Sequence, residues 1–281
     1  MKRLVFYISL FVVIVFVGQT LVCCNGKGAP KEILSDSLSI DSIFADSLSL
    51  GEDVAMPRGA DELFDDFMYN FLGNRRLQIK RIQFPLTVNS DGTTTKLSRA
   101  QWRYEPLFMT QDYFTLIADD RDQLALVKDT LVEHAVVERI SLDKDKIEQF
   151  VFNRIDGKWM LTEINNTNIE ENANQSFLKF YAKFATDEEF QQKSLCSRMM
   201  FTYPNPDDDF STITGTIVPQ QWKAMRPDII PSGVIYNVVY GNPVVDGNQK
   251  IFVIRGISNG FEQQMVFERE GNAWKVKRLI T

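Results

Sequence analysis

His134 is the only histidine in a chain of 281 residues, and that limits the chemistry available. A zinc site built on several imidazoles is excluded, and a Ser-His-Asp relay would have this one candidate base. It stands in Glu133-His134-Ala135, at the start of an expected strand and at a solvent edge. Asp207-Asp208-Asp209 offers three carboxylates in a row, the oxygen-rich kind of run that suits calcium. An EF-hand loop needs Gly at its sixth position and Glu at its twelfth, and here those are Thr212 and Val218. The run therefore reads as a solvated acidic turn after Pro204-Asn205-Pro206. There is no Gly-rich phosphate loop and no Cys/His metal spacing, so neither a cofactor nor a metal is expected.

Cys196 sits in Ser194-Leu195-Cys196-Ser197, which reads as a helix end with a small buried hydrophobe. No histidine lies nearby in sequence to activate it as a thiolate. Trp102 and Trp222 both occur in Gln-Trp-cation steps, Gln101-Trp102-Arg103 and Gln221-Trp222-Lys223. One reading makes each ring a pocket wall beside a stacking cation, so both are candidate ligand-pocket residues. The other makes each a plug in a repeated framework, and recurrence of the step favours the plug.

The elements that must position these residues come in two similar sets. Phe64 to Phe71 recurs as Phe177 to Phe184, the Gln-Trp-cation step recurs, and Val151-Phe152-Asn153-Arg154 with Trp159 recurs as Val266-Phe267-Glu268-Arg269 with Trp274. The offsets are 177 − 64 = 113, 222 − 102 = 120 and 274 − 159 = 115. Three landmarks in one order at nearly constant offset imply a duplicated unit, spanning 61–166 and 174–281 and joined by the polar stretch 167–173. Each copy is long enough to bury a core, and the short join implies that they pack side by side.

Each copy opens on a helix. Leu63, Phe64, Phe67, Met68, Phe71 and Leu72 form one stripe, and Phe177, Phe180, Tyr181 and Phe184 form the other. Thr186 followed by Glu189 predicts a capping box at the start of a further helix. Each copy closes on hairpins: Val136, Ile140 and Leu142 share a face, Phe150 and Phe152 share one, and turns fall at Asp156-Gly157, Asn259-Gly260 and Gly271-Asn272. Helices first and antiparallel hairpins last predict an α+β fold, two tandem units with helices on one face of a curved sheet.

That order, the Phe-rich opening helix and the closing meander with Trp after a turn resemble the nuclear transport factor 2-like superfamily of cone-shaped domains. The whole layout resembles a family of uncharacterised bacterial lipoproteins filed as a domain of unknown function. The resemblance implies a fold and an address, and no activity. In enzymes of the superfamily, such as the ketosteroid isomerases, a carboxylate base and a Tyr or Asp donor share a dry apolar cone, where an acid stays neutral and donates. By that resemblance Asp112 and Tyr113, with Tyr104, are the candidates in the first copy. Trp102 precedes Asp112 by ten residues but Trp222 precedes Asp228 by six, so the second copy lacks an equivalent pair. The competing reading places them in a loop and at a strand edge.

The N-terminus carries Lys2 and Arg3, an almost wholly apolar run from Leu4 to Val17, then Leu21-Val22-Cys23-Cys24. This describes a signal peptide over 1–23, the apolar run being short of the roughly 20 residues a membrane span needs. Leu21-Val22-Cys23-Cys24 resembles the lipobox of bacterial lipoproteins. Cys24, with small Cys23 before it, fits acylation better than Cys23, though the pair leaves the choice open. Cleavage there removes Lys2 and Arg3, taking the formal charge from −6 to −8. An acidic chain of this kind argues against nucleic acid as a partner. Residues 24–60 are Ser- and Asp-rich and read as a flexible tether. Asp36-Ser37-Leu38, Asp41-Ser42-Ile43 and Asp46-Ser47-Leu48 resemble a bacterial O-glycosylation acceptor, which makes Ser37, Ser42 and Ser47 candidate sites, with low-complexity drift as the competing reading. Asn25-Gly26-Lys27-Gly28 after the cysteine lacks an acidic sorting pair, which suggests an outer-membrane position facing the periplasm. The expected function is non-enzymatic: an envelope protein anchored through its lipid, whose paired units bind a small ligand or an envelope partner. The alternative is an acid/base isomerase or lyase acting in one unit.

Overall fold

The computed structural model describes residues 57, 59–241 and 247–281. Cys24, Ser37, Ser42 and Ser47 lie outside them, as do the apolar run and the tether. These described residues form one compact unit. Among the described residues no helix is long and apolar enough to cross a membrane.

Helix α1 (Phe64–Gly73) forms where the Phe stripe predicts it, burying Phe64, Phe67, Met68, Phe71 and Leu72. Helix α2 (Arg75–Lys80) follows at once, because the Asn74 side chain accepts from the Arg76 and Leu77 amides and restarts the helix. The first half then supplies β1 (Ile82–Ser90), β2 (Thr93–Leu97), β3 (Tyr113–Ala118), the short α3 (Arg121–Ala125), β4 (His134–Ser141), β5 (Lys146–Ile155) and β6 (Lys158–Asn168). The second half repeats the series except that its short helix comes before the third strand and not after it: α4 (Gln175–Phe184), α5 (Glu188–Lys193), β7 (Leu195–Asn205), β8 (Asp208–Ile217), α6 (Trp222–Met225), β9 (Val234–Tyr240), β10 (Gln249–Gly256), β11 (Glu262–Glu270) and β12 (Ala273–Ile280).

Two local expectations shift. The cap of α5 is Asp187, whose carboxylate accepts from the Phe190 amide, while Thr186 donates back to the Ala182 carbonyl. Ser194 ends α5, but Leu195 and Cys196 already belong to β7, so Cys196 is a strand residue and not a helical one. The β5–β6 turn falls on Asp156-Gly157 as expected, with φ of 49° and 73°.

The twelve strands form one sheet in the order β2-β1-β6-β5-β4-β9-β3-β10-β11-β12-β7-β8. The fold is α+β with one large curved sheet, and that sheet is mixed, because β1 pairs with β6, β7 with β12, and β3 with β9 in parallel. Read inward from either edge, the order is the same for the first five strands. The sixth is exchanged. β3 runs antiparallel to β10 of the second half, from Tyr113↔Gly256 to Ala118↔Ile251, and β9 runs antiparallel to β4 of the first half, from Val234↔Ser141 to Tyr240↔Ala135. The expectation of two units side by side, each on its own sheet, is thus replaced by one sheet through both.

Alternating residues of the central strands enter two separate cores. Phe114 and Leu116 of β3, Tyr236 and Val238 of β9, and Ile251 and Val253 of β10 join the core of α1. Ile117, Ile235, Phe252 and Ile254 join the core of α4. Because successive strand residues face opposite ways, the two cores lie on opposite faces of the central strands. That explains why β3 is buried at five successive positions, Phe114 to Ala118.

Candidate functional site

A cleft of about 340 Å³ opens between α1, the turn around Phe108 and the end of β10. Met68, Phe108 and Phe114 give it apolar walls, and Asp65, Asp66 and Arg255 bring charge to it. Its geometry begins with the Phe stripe. Phe64 packs edge-on against Phe152, Trp159 and Tyr240, with ring centroids 5.3, 4.9 and 5.9 Å away. Fixing Phe64 fixes Asp65, one residue on and about 100° around the helix, at the rim of the core.

Asp65 Oδ1 accepts a hydrogen bond from the Tyr240 hydroxyl at the end of β9. On its other side, Arg255 Nη1 lies 3.7 Å from Asp65 Oδ2. Arg255 is itself held by Glu262, whose Oε2 accepts from Nε at 3.1 Å and Nη2 at 2.8 Å. Burial pushes the Asp65 carboxyl above the ordinary carboxyl range, with some help from Asp66, and outweighs the opposing pull of Tyr240 and Arg255. Burial, with the neighbouring Asp65 charge, pushes the Tyr240 phenol well up, so it remains a protonated donor at neutral pH. The arrangement presents a carboxyl oxygen to an open, largely apolar cleft. It can accept a hydrogen bond or hold a cation there.

The residues singled out in the sequence lie elsewhere. Trp102 and Trp222 are buried, and neither lines this cleft. Each donates its indole N–H to a glutamine on the second helix of its half: Trp102 to Gln78 Oε1 at 3.1 Å, Trp222 to Gln191 Oε1 at 3.0 Å. A bond repeated between equivalent elements belongs to the framework. Asp112 is exposed, and its backbone carbonyl accepts from the Ile257 amide at 3.0 Å. Tyr113 packs against the core of α4, with its phenol pKa raised by burial, while the next residue, Phe114, faces the cleft. Strand alternation therefore separates Tyr113 from Asp65. Tyr104 donates to the Leu72 carbonyl. His134 Nδ1 lies 2.9 Å from Asn153 Oδ1 on the neighbouring strand. Asp208 Oδ1 accepts from the Phe210 amide at 3.1 Å, closing the exposed β7–β8 turn. Among the described residues no three His, Cys, Asp or Glu side chains are gathered to hold a metal ion.

Asp65 had a signal in the sequence. At the offset of 113, Asp65 stands where the second half has Leu178, so a carboxylate interrupts an otherwise similar Phe-rich helix. Tyr240 comes from the exchanged strand, and its meeting with Asp65, 175 residues away, depends on that exchange.

Residues 46–281 match a family described as a domain of unknown function, DUF4348. The chain belongs to the DUF4348 family. No curated protein matches it. Among solved structures it is similar to an NTF2-like protein from Bacteroides fragilis, at 37% identity and a TM-score of 0.73, covering 79% of this chain and 96% of that one. This DUF4348 chain therefore has an NTF2-like fold, a fold compatible with ligand binding or with isomerase chemistry and carrying no specific activity by itself.

Proposed function

We propose that this DUF4348 protein is a lipid-anchored envelope protein, held by Cys24 on the periplasmic side of the outer membrane, which binds a small ligand in the Asp65 cleft. In this reading 61–166 and 174–281 are repeated NTF2-like units that share one sheet and trade one strand. The observation that carries the binding site is the Asp65 carboxyl, backed by Tyr240 and set beside Met68, Phe108 and Phe114. Such a wall suits a ligand with an aromatic or aliphatic body and a cationic or strong hydrogen-bond-donating head.

The test is calorimetric titration at neutral pH with phenethylamine and phenylpropionate, matched in body and opposite in charge. Preference for the amine, lost in Asp65→Asn, supports the reading. Equal binding of both, or unchanged binding in the variant, removes it. The anchor is tested by fractionation and intact mass of protein from its native host. A mass equal to that of the lipidated chain alone would rule out glycosylation at Ser37, Ser42 and Ser47.

The isomerase alternative draws support from the raised Asp65 carboxyl. It is weakened by Tyr240, whose hydroxyl is engaged by Asp65 instead of facing the cleft, and by ring-filled cores on both faces of the sheet.

A further inference from the structure

The second half of the sheet carries a cationic trough. Strands β10, β11, β12 and β7 leave a hollow of about 460 Å³, floored by Ile251, Val266 and Met200. Arg121, Arg198 and Arg278 stand around it, with Lys277 and Glu268. Lys277 is already engaged, bonded to Glu270 and 3.9 Å from Glu268 Oε2. Arg278 reaches the Met200 sulfur at 3.7 Å. Among the described residues, Arg121, Arg198 and Arg278 have no carboxylate within ion-pair distance. Three guanidinium groups gathered around apolar side chains run against the formal charge of −6.

Strand register shows how this face departs from the repeat. The pair Met200↔Arg278 on β7–β12 occupies the place of Thr87↔Glu163 on β1–β6. Ile251↔Val266 occupies that of Val136↔Val151. The offsets agree, since 278 − 163 = 115 and 266 − 151 = 115. On β7 the offset is 200 − 87 = 113, which sets Arg198 opposite Pro85. In the first half Glu163 is bonded to Asn89, within its own sheet. Two floor positions, Ile251 and Val266, are thus apolar in both halves, whereas Met200 stands where the first half has Thr87, Arg278 where it has Glu163 and Arg198 where it has Pro85. A framework role explains the floor and leaves the arginines unexplained.

We propose that this trough binds an organic anion: a carboxylate or phosphate carried on an apolar body, held by Arg198 and Arg278 with the body lying on Ile251 and Val266. Guanidinium forks match both oxyanions, and the volume is that of a small-molecule site. The proposal stands apart from the Asp65 cleft, whose charge favours the opposite sign of ligand.

The test uses the full chain captured on a sensor surface, with octyl phosphate below its micelle concentration, octyltrimethylammonium, and vesicles containing phosphatidylglycerol as probes. Octyl phosphate is expected to bind one to one and octyltrimethylammonium not at the trough. Arg278→Glu, which restores the charge of the first half, is expected to weaken octyl phosphate by roughly tenfold or more, the scale of a lost charge-assisted contact. Arg198→Glu, at an exposed position, gives the same reading should Arg278→Glu fail to fold. Equal binding of the two octyl probes in an Asp65→Asn background, which removes the carboxylate of the other cleft, or unaltered octyl phosphate affinity in the folded arginine variants, overturns the proposal. Binding to vesicles but not to monomeric octyl phosphate also overturns it, in favour of a general attraction to acidic bilayers.

Discussion

Asn237 of β9 donates to Glu138 Oε2 of β4 at 2.8 Å, and this bond joins the two halves of the chain at the centre of the sheet. The other end of the Asn237 amide accepts from the Ile117 amide of β3 at 2.9 Å. Strands β3 and β9 share a single backbone register pair, Thr115↔Asn237, so the side chain substitutes for a missing rung. Glu138 is 3% exposed and, among the described residues, has no cation within ion-pair distance; Gln149, Asn172 and Asn237 all donate to it. Three amide donors satisfy a buried carboxylate that would otherwise be costly.

Asn237→Leu strands both a Glu138 oxygen and the Ile117 amide. Each orphaned group costs about 1–3 kcal/mol, so a total loss of roughly 2–6 kcal/mol is expected in chemical denaturation. Glu138→Gln turns one acceptor into a donor facing a donor, with an expected loss of about 1–3 kcal/mol. A midpoint unchanged in either variant would show that the junction is held by packing alone.

The Asp65 carboxyl is raised above its ordinary value of 3.8 in the folded protein. Its contribution to stability is therefore full below 3.8 and is lost as pH rises through the folded value. Asp65→Asn should raise the melting temperature at pH near 7 and give no gain in acid. Tyr240→Phe removes a donor to the carboxylate and should move the Asp65 titration higher still, read by carboxyl-carbon NMR. A melting temperature lowered at neutral pH by Asp65→Asn would contradict this reading.

Asp61 behaves in the opposite sense. Burial works to raise its pKa, but the bidentate Arg81 pair, at 2.7 and 2.8 Å, and the Trp159 amide together hold it below 3.8. Its contribution is present above 3.8 and is lost as pH falls through the depressed folded value. Asp61→Asn should cost about 1–3 kcal/mol near neutrality, and the difference from wild type should shrink on acidification. Denaturation curves at several pH values measure it. A constant difference across the acid range would exclude a role for the ionised carboxylate.

The two tryptophans should differ in cost despite their equivalence. Gln78 Oε1 also accepts from the Glu105 amide, so Trp102→Phe leaves it one donor. Gln191 Oε1 depends on Trp222, and Trp222→Phe orphans it, adding about 1–3 kcal/mol to the cost of lost volume. Thermal melts compare the variants. Amine binding at the Asp65 cleft should be unaltered in both.

What was legible in the sequence was local. The stripe of Phe64, Phe67 and Phe71 and the Asp156-Gly157 turn follow from side-chain period and backbone φ, which neighbouring residues settle among themselves. The partner of β3 does not. Val234 to Tyr240 and Phe114 to Ala118 advertise burial on both faces through runs that are apolar at all but one position, Asn237 and Thr115, but such runs do not say which strand lies alongside. The cleft was missed for the same reason: Asp65 was visible as a break in the repeat, whereas Tyr240 reaches it only through the traded strand.

That trade has a consequence for how the chain can be divided. A cut in the join after β6 would not free two working modules, since β3 would depart with one piece while its partner β10 stayed with the other. The fragments should instead remain clasped, or find each other when made separately. A chain cut down to either half would keep its own six strands but strip the central one of the neighbour it now pairs with.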